Sequence, residues 1–321
     1  MPPRISPLPE PSSDLSYQVV PRSGGGAVNI LLDVLVVLLI VVVIVAAITP
    51  TLARLHVQSM RLAAIRRIER RRGSRVITLI HRQEAIAVLG VPVARYLSID
   101  DSEAVLRAIR LTPPTMRIDL IVHTPGGLQI AAEQIAYALT RHRGPVTVFV
   151  PYYALSGGTL IALAADEIVM DANAVLGPID PQLGGLPAAS ILKVLETKPA
   201  DRVEDRTVIM ADMARKALRQ IDSTVVCILT AKGVDEARAH KVSEVLSSGR
   251  WTHDYPIRVE EATALGLPIT TPIPLEIEDL MRYYPQAIQR RPSVEFVPLP
   301  YFPQPEPLPS PSGQPEEVGR E

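Results

Sequence analysis

The chain has 321 residues, 33 Lys and Arg against 34 Asp and Glu, and a formal net charge of −1, so no global basic excess is present to hold nucleic acid. A single cysteine, Cys227, excludes intramolecular disulfides and every Cys-rich zinc arrangement. Of the 31 prolines, 16 fall in residues 1–26 and 285–321, which leaves an aliphatic, aromatic-poor interior for one sizeable domain.

In chain order, residues 1–28 read as a disordered Pro/Gly-rich N-terminus. Residues 30–48, ILLDVLVVLLIVVVIVAAI, are long and apolar enough to cross a bilayer, and their one charge, Asp33, stands near the start where it reaches the headgroups. A cleaved signal peptide fits less well. Its basic n-region would be weak, with Arg4 and Arg22 offset by Glu10 and Asp14, and the apolar run exceeds the usual ~7–15 residues. A transmembrane helix is therefore predicted over 29–49.

Residues 51–75 carry eight arginines and one acid, Glu69, and Leu62, Ile65 and Ile68 recur there at helical spacing. The pattern predicts a basic juxtamembrane helix over 50–74 suited to anionic lipid, and the positive-inside rule keeps the C-terminal body in the cytoplasm. Between 75 and 284, β-rich runs at 76–80, 118–123, 146–150 and 167–171 alternate with helical patterns at 101–110, 128–142 and from 157, which predicts an α/β fold with buried, mainly parallel strands. Longer helical patterns follow at 188–197, 204–231 and 233–248. The Pro-rich tail, 285–321, reads as disordered.

Two loops in this body could carry chemistry. HTPGG at 123–127 joins a strand to a helix, and Gly126 and Gly127 free backbone N–H groups to face a ligand; the same five residues also make an ordinary turn. YALSGG at 153–158 again follows a strand. Ser156 there is either an N-cap or a nucleophile with the Gly157 N–H beside it. The two loops follow successive strands, and adjacent parallel strands present such ends on one edge of a sheet.

TPGG followed by YALSGGTLIALAADEIVMDANAVLGPID resembles the Clp protease and crotonase superfamily, and within it the signal peptide peptidase A group. With the N-terminal membrane segment and WTHDYPI at 251–257, roughly residues 75–270 are similar to the serine dehydrogenase proteinase family. The resemblance implies a repeated ββα superhelix with an added helical arm, assembled as a homo-oligomer. It also implies a nucleophilic Ser156, an oxyanion hole at Gly126, Gly127 and Gly157, and a lysine general base. Of five lysines, Lys198 best matches the expected position, between two helical patterns about forty residues after the serine. His253, followed by Asp254, departs from the W-T-G-type turn of the peptidase group and is the alternative base, given a carboxylate to orient it.

No G-x-G-x-x-G follows a strand and the six histidines show no metal-ligand spacing, so no cofactor and no metal are expected. The reading is a membrane-anchored serine peptidase acting on peptides or membrane-protein segments, with lipid and further copies of itself as partners and no nucleic acid. Two alternatives stand beside it: a catalytically degenerate membrane scaffold of the same fold, and a crotonase-type acyl-CoA enzyme that needs no nucleophile.

Overall fold

The computed structural model describes residues 26–81, 86–88, 91–93 and 96–284. Both segments expected to be disordered lie almost wholly outside these residues. The chain enters as one 47-residue helix, α1 (Gly26–Arg72), about 70 Å long at 1.5 Å per residue. In its N-terminal half Val34 to Val45 are all exposed, and among the described residues it is the one helix long and apolar enough to cross a membrane. Pro50 lies inside it without ending it, so the two helices expected over 29–49 and 50–74 are continuous.

The last turns of α1 belong to the body. Ile68 is 1 % exposed. Arg61 donates to the Tyr283 carbonyl through Nη2 at 2.7 Å and lies over the Tyr284 ring at 3.9 Å, while Arg72 pairs with the fully buried Asp119, which also accepts from Ser74 Oγ at 2.6 Å. Part of the basic stalk is thus consumed in holding the helix to the domain.

Five parallel strands follow in sequential order: β1 (Ser74–Ile80), β2 (Arg117–His123), β3 (Val146–Val150), β4 (Glu167–Met170) and β5 (Ile269–Thr270). Right-handed crossovers that all step the same way put their helices on one face. Accordingly α2 (Ile99–Arg110), α3 (Gln129–Thr140) and α4 (Gly157–Ala162) contribute Val105, Ile135, Leu139 and Leu160 to one core, where they meet Leu120 and Val122 of β2. The residue between these two, Ile121, points to the other face and packs with Val76, Phe149 and Val169 against Ile68. Burial on both faces is why these strands read as continuous apolar runs rather than alternating ones.

Three helices follow, α5 (Ala188–Thr197), α6 (Asp205–Ala231) and α7 (Glu236–Ser247), of which α6 and α7 complete the main core through Ile221, Val225, Ile228, Val242 and Leu246. The N-terminal half of α6 and α5 form a smaller cluster of their own around Ala188, Ile191, Ala211 and Ala214. Beyond it, α8 (Val259–Ala264) and α9 (Leu275–Met281) flank β5; Ile277 and Leu280 of α9 join Ile68 over the second sheet face. At the edge where β2 and β3 end, Tyr153–Ala154 pairs in parallel with Val175–Leu176, which pairs antiparallel with Ile257–Arg258. Two-residue strands leave no periodicity to read.

Candidate active site

β2 and β3 are adjacent and parallel, so the turns that follow them emerge side by side. Thr124 N donates to Tyr153 O at 3.2 Å and Leu155 N donates to Thr124 O at 3.0 Å, which holds the two loops together. They are pressed close. A Cβ on Gly126 would lie 2.8 Å from Ser156 Cβ, one on Gly158 would lie 2.7 Å from Thr124 Cγ2, and one on Gly127 would enter the Leu97 backbone. These glycines are there for close approach, and Gly126 also has φ +95°.

Ser156 has φ 51° and ψ −115°, the only positive φ on a non-glycine residue among those described. Such a backbone costs on the order of 1–3 kcal/mol, and sites that hold it against that cost are concentrated where chemistry occurs. As an N-cap, Ser156 would accept a backbone N–H of α4, and it does not. It lines a cavity of about 420 Å³ together with Gly127, Gly157, Asp180 and His253. Aliphatic side chains, Leu128, Ala132, Leu160, Ile179 and Ile221, cover much of the remaining wall.

The three glycines predicted for an oxyanion hole separate in their roles. Gly126 N–H donates to Thr124 Oγ1 at 3.1 Å and is committed there. Its carbonyl accepts from Leu97 N at 2.7 Å, and because a trans peptide sets C=O and N–H in opposite directions, Gly127 N–H faces away from Leu97. Gly157 is the first residue of α4, where a backbone N–H has no intrahelical acceptor. Among the described residues no hydrogen bond engages the N–H of Gly127 or Gly157, and both residues line the cavity.

His253 Nδ1 lies 2.7 Å from Asp180 Oδ1, and the Asp180 side chain is 1 % exposed with its other oxygen accepting from Gln182 Nε2 at 2.6 Å. The hydrogen bond to Asp180 raises the imidazole pKa above its ordinary value, against the opposing effect of partial burial. Asp254, the neighbouring carboxylate in sequence, is exposed, and the orienting group comes instead from 73 residues earlier. Asp180 was not legible as a partner: it stands in GPID after β4, and only the fold brings it to His253.

Lys198 sits at the C-terminal end of α5, exposed, and is not among the residues that line the cavity. Lys193, Lys216 and Lys232 pair with Glu196, Asp212 and Asp166. His123, beside the glycine loop in sequence, is buried against the rings of Tyr152 and Tyr153.

A family model described as ClpP-like SDH-type serine proteinase matches residues 25–307. The chain belongs to that family. This proteinase is 52 % identical over 251 residues to one uncharacterized protein of Methanocaldococcus jannaschii, covering 78 % of this chain and 87 % of that one. A second protein of the same organism is 52 % identical over 241 residues, with 75 % and 82 % covered. Among solved structures, the membrane-bound stomatin-specific protease 1510-N aligns at 19 % identity and TM-score 0.39, covering 59 % of the proteinase and 79 % of that chain. ClpP1 from Listeria monocytogenes aligns at 16 % identity and TM-score 0.39, covering 62 % and 92 %. Family membership makes the chain a serine peptidase of α/β fold.

Proposed function

We propose that this proteinase is a membrane-anchored endopeptidase in which Ser156 is the nucleophile and His253, oriented by Asp180, is the general base. The observation that carries the reading is Ser156 itself: a non-glycine residue at φ 51°, uncapped, lining the cavity that His253 also lines. With Nδ1–H directed at Asp180, Nε2 is the nitrogen left to accept the serine proton. Ser156 Oγ adds to the scissile carbonyl carbon as its proton passes to His253, and the N–H groups of Gly127 and Gly157 hold the oxygen that gains charge. His253 then protonates the departing amine, and water, deprotonated by the same imidazole, hydrolyses the acyl-enzyme. In this reading Lys198, the base that the resemblance implies, takes no part in the series.

The aliphatic wall favours an apolar side chain next to the cleaved bond, as in a peptide or an exposed membrane-protein segment. The N-terminal half of α1 is the anchor, and the arginines after it favour a cytoplasmic body. Val208, Ile209 and Met213, exposed on α6, form the face through which copies associate as a homo-oligomer. A degenerate scaffold or an acyl-CoA enzyme has no use for a strained serine in the cavity. The test is peptide hydrolysis by the full chain in detergent, with and without Ser156→Ala. Hydrolysis lost with the serine supports the reading; hydrolysis retained by the folded variant refutes it.

A further inference from the structure

The buried side of the glycine loop rests on a second carboxylate, imidazole and hydroxyl series that the proposed mechanism does not use. Asp101 Oδ2 lies 3.3 Å from His81 Nε2, and His81 Nδ1 lies 2.8 Å from Thr124 Oγ1, the atom that accepts Gly126 N–H. A hydroxyl tied to a histidine and an acid has the makings of a nucleophile. Yet Thr124 is 0 % exposed and His81 6 % exposed, so neither meets a substrate. The place of Thr124 in the fold gives it a different task, since its main chain also bonds Tyr153 and Leu155, and Leu155 immediately precedes Ser156.

Charge fixes the direction of the series. Burial disfavours ionisation of Asp101, but hydrogen bonds from the Ser98 side chain and backbone, together with the one from His81, outweigh it and hold the carboxyl below its usual range. An ionised Asp101 faces Nε2, so a neutral His81 carries its proton there and offers Nδ1 as an acceptor. Thr124 then donates its O–H to Nδ1 and accepts Gly126 N–H with a lone pair. On the other side of the turn, Leu97, one residue before the Ser98 cap of α2, holds the Gly126 carbonyl. The peptide planes on both sides of Gly126 are therefore each fixed by one hydrogen bond.

We propose that Thr124 and His81, backed by Asp101, are positioning residues of the oxyanion hole, setting the Gly126 turn so that Gly127 N–H is aimed before substrate arrives. The inference rests on the serine-peptidase reading above, and its test separates the two. In the full chain in detergent, Thr124→Val keeps the shape of the side chain and removes the hydroxyl, whereas Thr124→Ser returns it. Thr124→Val is expected to lower kcat about 10- to 100-fold with KM within about twofold. Affinity for N-acetyl-Leu-Leu-leucinal, whose hemiacetal oxygen would occupy the hole, should fall in the same ratio. Thr124→Ser should stay within about threefold of wild type, and His81→Asn, which keeps an acceptor near Nδ1, should exceed His81→Leu.

A folded Thr124→Val with wild-type kcat, or one whose loss is matched by its folded fraction while the aldehyde binds as before, overturns the proposal. If the wild type does not hydrolyse peptides, or Ser156→Ala still does, the peptidase reading falls on that result alone. The hydrogen-bond series is then read directly from the imidazole nitrogens of the ¹⁵N-histidine-labelled wild type. A neutral His81 protonated on Nε2 supports it, and a proton on Nδ1 overturns it.

Discussion

Ser156 combines two demands that conflict in most proteins, a side chain and a left-handed backbone. Replacement by glycine removes both the hydroxyl and the strain, so Ser156→Gly should abolish hydrolysis while raising stability by about 1 kcal/mol. A serine acting as a helix cap would instead lose a few tenths on the same change. Thermal unfolding of the two proteins distinguishes the outcomes. His253 sets the pH dependence. Its raised pKa means that it becomes the neutral base only above the ordinary imidazole value of about 6.5, so kcat/KM should rise with pH through a midpoint higher than that. The stability contributed by the protonated pair runs the other way, present below the unfolded value and lost as pH rises through the folded one. Asp180→Asn should move the kinetic midpoint down and cut kcat by roughly 10³- to 10⁴-fold, because the imidazole loses its orienting carboxylate. A pH profile unchanged by that substitution would remove His253 from the mechanism.

At the scale of elements, the main strands and helices were legible because buried parallel strands and amphipathic helices write themselves as uninterrupted or 3.6-periodic apolar patterns. The 76–80, 118–123, 146–150 and 167–171 runs all fall on strands of the sheet, within a residue or two of their ends. The glycine loops were legible for a different reason. Glycine pairs after strands mark backbone that a Cβ would obstruct, and at Gly126 the nearest obstructing atoms are Ser156 Cβ and the Leu155 carbonyl oxygen. Gly126→Ala should therefore cost activity by at least 100-fold and stability by about 1–3 kcal/mol, since it adds a clash to a positive φ. Long-range partners were not legible. Asp180 and His253 are joined by a rim of two-residue strands, and His81 reaches Thr124 only because β1 and β2 are neighbours in the sheet. The docking of the 50–74 helix on the body was not legible either, since its arginines read as a basic face suited to anionic lipid. Arg72 instead neutralises Asp119 inside the fold, and Ile68 fills the second core. A body cut before Gly73 should be less stable than one begun near Gln58 by about 3–5 kcal/mol, the cost of leaving a buried charge unpaired. Equal denaturation midpoints would contradict this.

On the scale of the whole molecule, the helix proposed to anchor the chain is the same one that closes the second face of the sheet, so the proposed span and the body share one uninterrupted helix. Protease added outside intact cells should trim the residues before the span and leave the body whole, and degradation of the body would reverse the proposed orientation. The central claim is that a strained serine in a cavity shared with a histidine and a buried aspartate is the nucleophile. It is tested most directly by reacting the full chain in detergent with a fluorophosphonate and locating the adduct by mass spectrometry in wild type, His253→Ala and Lys198→Ala. The account predicts one adduct, on Ser156, formed at a near-normal rate in Lys198→Ala and at least 100-fold more slowly in His253→Ala. An adduct on another residue, or none on a folded wild-type chain, would contradict it.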